Sequence, residues 1–224
     1  MIEFRDVGHA YDGRIVLRDI TMTLAENRIG IVGANGSGKS TLARLINALV
    51  TPDSGTVIVN GVDAARHKRQ VRRQVGFIFS DPDRQIIMPT VIEDIELSLT
   101  RTPLTKTERA ARARTVLSRF GLADHADHPA QRLSGGQKQL LALASIFVTE
   151  PAIVVADEPT TLLDLRNSRM LRRVLATLDE QLVVVTHDLD LVDDFDRVIV
   201  MDEGRVVADD IPTVALAQYR RMMA

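Results

Sequence analysis

The sequence predicts an α/β fold in which a mostly parallel β-sheet core is interrupted by an all-helical insert. Short β-branched runs recur at 29–32, 57–59, 75–79, 153–156, 182–186 and 198–201. Several lack polar alternation, as strands buried on both faces do. Helical patterns lie between some of them, which is the order that a parallel sheet requires. Between about 86 and 148 the strand patterns stop, and they resume after 150.

Bulk properties bound the function. The 224 residues fit one large domain, or a core domain with a small insert, and can bury a sizeable core. Aromatic residues make up only 4% and Trp is absent, so aliphatic side chains must build that core. A net charge of −2 argues against a nucleic-acid partner. The absence of Cys excludes a disulfide framework and a thiolate metal site, and fits a reducing cytosol. The opening "MIEFRDVGHA" has no apolar stretch of the kind a signal peptide needs. The longest apolar run, near 140–148, falls far short of the ~18 residues of a membrane span. Any membrane role is therefore expected to be peripheral.

In chain order, the run at 29–32 opens "IGIVGANGSGKST". Gly33, Gly38, Lys39 and Ser40 have the spacing of a P-loop, and 41–49 reads as the helix that must follow. Glycines let backbone N–H groups turn inward around phosphate oxygens, and the helix start adds partial positive charge. Lys39 would reach the β- and γ-phosphates, and the Ser40 hydroxyl would bind Mg²⁺. The basic run "ARHKRQVRRQ", 65–74, reads as a solvated helix face, as do the arginines of 106–120.

Thr105 and Glu108 form a capping box. Ala110, Ala113, Val116, Leu117 and Phe120 give the following helix its apolar face, and Gly121 suits its end. "DHADHP", 124–129, places His125 and His128 beside Asp124 and Asp127, and reads as a solvated turn rather than a metal cluster. In "LSGGQKQ", Ser134 can cap a helix starting near Gly135 and leave bare N–H groups at its start. This is a second anion site on one chain. One nucleotide hardly needs two, so a dimer is expected, each Ser134-Gly135-Gly136 meeting the nucleotide held by the other subunit. "LLALASIFV" is the buried face of that helix.

"AIVVADEP" ends a buried strand in two carboxylates. Asp157 could hold Mg²⁺ through water, and Glu158 could orient and deprotonate a water that attacks the γ-phosphate. "VVVTHD" ends a further strand in His187, where its ring could face that phosphate. Glu203-Gly204 turns the last run back into 205–208, an edge hairpin.

Together these motifs resemble the ATP-binding subunit of an ABC transporter over essentially the whole chain. Tyr11 in "HAYDG" resembles the A-loop aromatic that stacks on adenine. Gly33 to Thr41 resembles Walker A, implying contacts from Asn35, Gly36, Ser37, Gly38, Lys39, Ser40 and Thr41. Residues 133–137 resemble the signature, with Ser134, Gly135, Gly136 and Gln137 on the nucleotide. Residues 153–158 resemble Walker B, Leu162-Leu163-Asp164 the end of the D-loop, and His187 the H-loop switch. The resemblance implies a RecA-like P-loop core with an N-terminal antiparallel β region. It divides one ATP-binding domain, 1–224, into a core of 1–85 and 149–224 and an α-helical subdomain of 86–148.

"FSDPDRQIIMP", 79–89, narrows the resemblance. Where the general family has a glutamine contacting Mg²⁺ this chain has Ser80, whose shorter arm reaches less far. Pro82 to Ile86 is similar to the Pro-Asp/Glu-x-Gln-apolar motif of energy-coupling factor transporters, in which a short helix relays nucleotide state to a membrane scaffold. Gln85 would carry that coupling. The segment, and a chain stopping at 224, look most like the ATPase of biotin importers.

The resemblance implies ATP and Mg²⁺, and a homodimer or a heterodimer with a related ATPase. It also implies a transmembrane scaffold, a small substrate-binding membrane protein, and a peripheral place on the cytoplasmic face of the membrane. Cobalt or nickel import, and regulation of a membrane division complex, are the alternatives. A DNA-directed ATPase of this family would need a long or zinc-bearing insert, and a P-loop GTPase would need a guanine-reading Asn-Lys-x-Asp; neither is present.

Overall fold

The computed structural model describes residues 1–161 and 163–224. Two compact units emerge, one of Met1–Phe77, Ala152–Glu158 and Asp179–Ala224, the other of Ile78–Pro151 and Pro159–Leu178.

The first unit carries two sheets. Strands β1 (Ile2–Tyr11), β2 (Arg14–Leu24), β4 (Ser54–Val59) and β5 (Val62–Asp63) form one, in the order β2-β1-β4-β5. Its pairings are antiparallel, as the resemblance implies for the N-terminus. Ile2, Phe4 and Val7 of β1 are buried between more exposed neighbours, the pattern of a strand with one covered face. The run at 57–59 therefore belongs to this antiparallel sheet, not to the parallel one.

The second sheet has the order β10-β9-β3-β8-β7-β6. It comprises β3 (Arg28–Gly33), β6 (Val75–Ile78), β7 (Ile153–Asp157), β8 (Gln181–Val185), β9 (Arg197–Asp202) and β10 (Arg205–Asp210). Strand β3 pairs in parallel with both β8 and β9, and β7 in parallel with β8, while β10 folds back antiparallel as the edge. Every residue of β7 is buried, which explains its unbroken apolar run. Fully burying each Val, Leu or Ile there contributes ~1.5–3 kcal/mol.

Helix α1 (Lys39–Ile46) packs on β4, β7 and β8; α2 (Lys68–Gln74) buries only Val71. The carboxyl ends of β3, β7 and β8 lie side by side in the sheet, where open α/β folds place ligands.

The second unit is helical: α3 (Val91–Ser98), α4 (Lys106–Arg119), α5 (Gly135–Phe147) and α6 (Leu165–Ala176), with short 3-10 turns at Pro82–Arg84, Ala123–His125 and Ala130–Arg132. Capping boxes start α3 (Thr90 with Glu93), α4 (Thr105 with Glu108) and α5 (Ser134 with Gln137). Gly121, at φ 69°, follows α4 as its spacing predicts. Helix α5 is the most buried, and Leu140–Ala144 form its covered centre. Helix α6 buries Leu171 and Leu175 along one face. The first unit closes with α7 (Pro212–Met222), packed on β9 and β10.

Candidate functional site

A cavity of about 1030 Å³ opens in the first unit above the β3–α1 turn. Residues Ala34 to Thr41 line one side; Tyr11, Ile15 and Val16, from the first hairpin, line another. The turn follows from its glycines. A Cβ on Gly33 would fall 2.1 Å from the Met201 carbonyl oxygen, so no side chain fits where β3 passes β9. Lys39 folds back, its Nζ donating to the carbonyls of Gly33 at 2.8 Å and Ala34 at 2.9 Å. Burial pushes its pKa down, and Glu158 and Asp157 pull it back up.

The tip of β7 completes the polar wall. Ser40 donates from Oγ to Asp157 Oδ1 at 2.7 Å, and the Arg44 guanidinium stands 3.5 Å from Asp157 Oδ2. Burial raises the Asp157 pKa, with the Ser40 hydrogen bond and Arg44 opposing it. This pair suits Mg²⁺ because it supplies hard oxygen donors, a hydroxyl and a carboxylate. A magnesium ion normally takes only one or two protein carboxylates and fills its shell with phosphate and water. No cluster of three or more His, Cys, Asp or Glu suited to a metal exists among the described residues.

Strands β7 and β8 are neighbours, and their tips bring Glu158 and His187 together. Glu158 lines the cavity and takes a left-handed backbone conformation, φ 54°, rare outside glycine. Its Oε2 lies 2.7 Å from His187 Nδ1 and also accepts the His187 backbone N–H at 3.3 Å. A carboxylate only accepts, so Nδ1 carries the proton and Nε2 is left for another partner.

The second unit holds the remaining sequence-predicted residues. Ser134 is exposed at the start of α5. Its Oγ accepts the Gln137 N–H at 3.3 Å, and its own N–H donates to Gln137 Oε1 at 2.9 Å. The Ser134 hydroxyl proton and the first N–H groups of α5 thus stay available to an anion. Gly136 has a packing reason as well: a Cβ there would lie 2.3 Å from the Asn167 side chain on α6. Asp164 caps α6, accepting the Asn167 N–H at 2.8 Å; Leu162 of the D-loop resemblance lies outside the described residues.

Ser80 is half-buried ahead of the Pro82–Arg84 turn. Gln85 closes that turn from inside. Its Nε2 donates to the Ala142 carbonyl at 3.0 Å and its Oε1 accepts the Phe79 N–H at 3.4 Å. The segment is a single 3-10 turn, capped by Asp81, rather than an α-helix.

Sequence reasoning missed Arg44, Ile15 and Lys138. Arg44 was legible, since it stands one helical turn beyond Ser40 on the same face. Ile15 is 53% exposed beside Tyr11, an aliphatic left in solvent at a cavity mouth. Lys138 pairs with Asp83 at 2.7 Å across 55 residues, and nothing local announces it. The reading of 124–129 as a solvated turn holds for Asp124, His128 and Asp127 but fails for His125, whose ring Nδ1 is buried and whose Nε2 meets Gln137.

A family model described as ABC transporter matches residues 17–161. The biotin transport ATP-binding protein BioM of Rhizobium etli is 47% identical, over all of this chain and 99% of its own length. Among solved structures, cbiO1 from Clostridium perfringens, part of the ABC transporter complex cbiONQ, superposes with a TM-score of 0.87 at 29% identity, covering 99% of this chain and 92% of that one. A bacterial ABC transporter cassette solved as a dimer gives a TM-score of 0.84 at 29% identity, covering 95% of this chain and 99% of that one.

Proposed function

We propose, from the premise that this chain belongs to the ABC transporter family and is an ATPase of it, that it powers an energy-coupling factor-type importer of biotin. The observation that carries the substrate is full-length similarity to a biotin transport ATP-binding protein, joined to the Pro82–Gln85 motif. Cobalt import is the second reading, favoured by 37% identity to a cobalt import ATP-binding protein of Syntrophus aciditrophicus.

In this reading ATP lies in the P-loop cavity with adenine on Tyr11 and Ile15. Lys39 exchanges its carbonyl partners for phosphate oxygens, and backbone N–H groups of 35–41 cradle the phosphate chain. Ser40 and Asp157 hold Mg²⁺, which supplies charge neutralisation on the phosphate oxygens. Glu158 orients a water and takes its proton as the water oxygen bonds to the γ-phosphorus. The β–γ bridging oxygen leaves with the bonding electrons as part of ADP. His187, held through Nδ1 by Glu158, presents Nε2 toward the phosphate. Positioning and charge supply most of the rate in such transfers.

Two subunits close around two nucleotides. The Ser134–Gln137 helix start and Asp164 of one meet the ATP of the other. Ser80 stands at the Mg²⁺-sensing position. Gln85, fastened to α5, carries closure to a transmembrane scaffold, which works with a small substrate-binding membrane protein. No described helix is long and apolar enough to cross a membrane. Peripheral attachment at the cytoplasmic face fits that reading.

Uptake of labelled biotin, cobalt and nickel by cells lacking this chain tests the proposal. Loss of biotin uptake alone is expected. Normal biotin uptake with lost cobalt or nickel uptake would transfer the assignment to the metal.

A further inference from the structure

We infer that His125 is a positioning residue for the Ser134–Gln137 helix start, and that it works only while its Nε2 is unprotonated. The inference rests on the proposed role of that helix start in nucleotide binding.

The Ser134 N–H faces the side chain of Gln137. It is a fixed donor and lies 2.9 Å from the Gln137 side-chain oxygen. That contact settles which end of the amide faces which way: the oxygen toward Ser134, the NH₂ away from it. The NH₂ then meets His125 Nε2 at 3.0 Å. An NH₂ group only donates, so Nε2 must accept and the ring proton must sit on Nδ1. The other neutral tautomer and the imidazolium both place a second N–H against the first. Either the His125–Gln137 contact then breaks, or the amide flips and faces its NH₂ to the Ser134 N–H. The flip destroys half of the capping box that seats Ser134.

The rest of the neighbourhood makes the arrangement stiff. His125 Nδ1 is buried and has no hydrogen-bond partner, so the ring gains nothing by rotating to a new acceptor. The His128 ring stands edge-on, 5.1 Å away, with its backbone carbonyl accepting the Val91 N–H. The Ala126 carbonyl accepts the Ile92 N–H at 2.8 Å and the Ala130 N–H donates to the Pro89 carbonyl at 2.9 Å. The turn bearing His125 is thus pinned to the start of α3 along its backbone. Its one side-chain tie to α5 is the contact with Gln137 among the interactions described.

Other charged groups around the ring are His128 and the flanking Asp124 and Asp127. On the packed helices, Arg119 of α4 lies over the Phe120 and Phe147 rings and Lys138 of α5 pairs with Asp83. None of these restores an acceptor at the Gln137 NH₂ when His125 gains a proton. A proton on Nε2 therefore loosens the nucleotide-facing helix start.

The experiment uses the full chain and its ATPase rate across pH, with His125→Gln, His125→Lys and Ser134→Arg. Ser134→Arg tests the underlying reading: if it hydrolyses ATP normally, the helix start has no nucleotide role. With that role intact, His125→Lys, whose protonated amine only donates, is expected to raise the KM for ATP about tenfold at acid and neutral pH. His125→Gln, which offers an uncharged acceptor at similar reach, should keep near-native KM and lose part of the acid-side fall in rate. A merely structural His125 would lower activity in both variants in proportion to their loss of Tm, with unchanged pH profiles. That result, or an acid limb identical in His125→Gln and the native chain, overturns the inference.

Discussion

Glu158 and His187 stand just past the ends of different strands, 29 residues apart, yet they share a 2.7 Å contact because β7 and β8 are neighbours. Glu158→Gln keeps the size of the side chain and removes the base. It should cut ATP turnover by at least ~100-fold while ATP binding, measured by fluorescence with a labelled nucleotide, stays near native. Hydrolysis at the native rate would remove Glu158 from its role. Asp157 gives a second test. Burial raises its pKa, so the folded state holds its proton more tightly than the unfolded state does. Stability from this group is greatest at low pH and is lost as pH rises through the raised value. Asp157→Asn should therefore raise the Tm of the nucleotide-free protein at neutral pH by ~2–4 °C, with no gain below the carboxylate range. A lower Tm at neutral pH would mean that the Ser40 and Arg44 contacts outweigh burial. The P-loop and both acids were legible because each sits at a strand end in a fixed local spacing. Arg44 could have been read from its place one helical turn beyond Ser40, whereas Ile15 meets the cavity through neighbours the sequence does not announce.

At the scale of elements, the helices with capping boxes and the buried strands could be read from sequence. The first hairpin was harder. Its register shifts repeatedly between Phe4 and Ala10, which breaks the period-2 pattern that marks a one-sided strand. The junction of α5 and α6 was invisible, because Gly136 and Asn167 come from distant segments. Gly136→Ala should destabilise the protein by ~1 kcal/mol through overpacking, and Asn167→Ala should recover most of it in the double variant. Additive losses in urea unfolding would deny the contact. The Pro82–Arg84 turn bears on coupling. Gln85→Ala removes one of two side-chain ties between that turn and α5, the other being Lys138 with Asp83, so uptake should fall several-fold more than the ATPase rate. Equal losses would argue that Gln85 serves catalysis through α5 and not transmission.

At the scale of the molecule, the P-loop lies in one compact unit and the Ser134–Gln137 helix start in the other. In the proposed dimer each P-loop meets the helix start of the other chain. Neither the P-loop nor the helix start alone completes a site, so damage to each should be complementary in a mixed dimer. Lys39→Ala and Ser134→Arg are each expected to be inactive as pure proteins. A heterodimer of the two has one site in which a native Lys39 faces a native Ser134. Mixing equal amounts and measuring phosphate release should restore about a quarter of the native rate, since half of random dimers are mixed and each holds one sound site. A mixture as inactive as its parts would contradict sites shared between subunits.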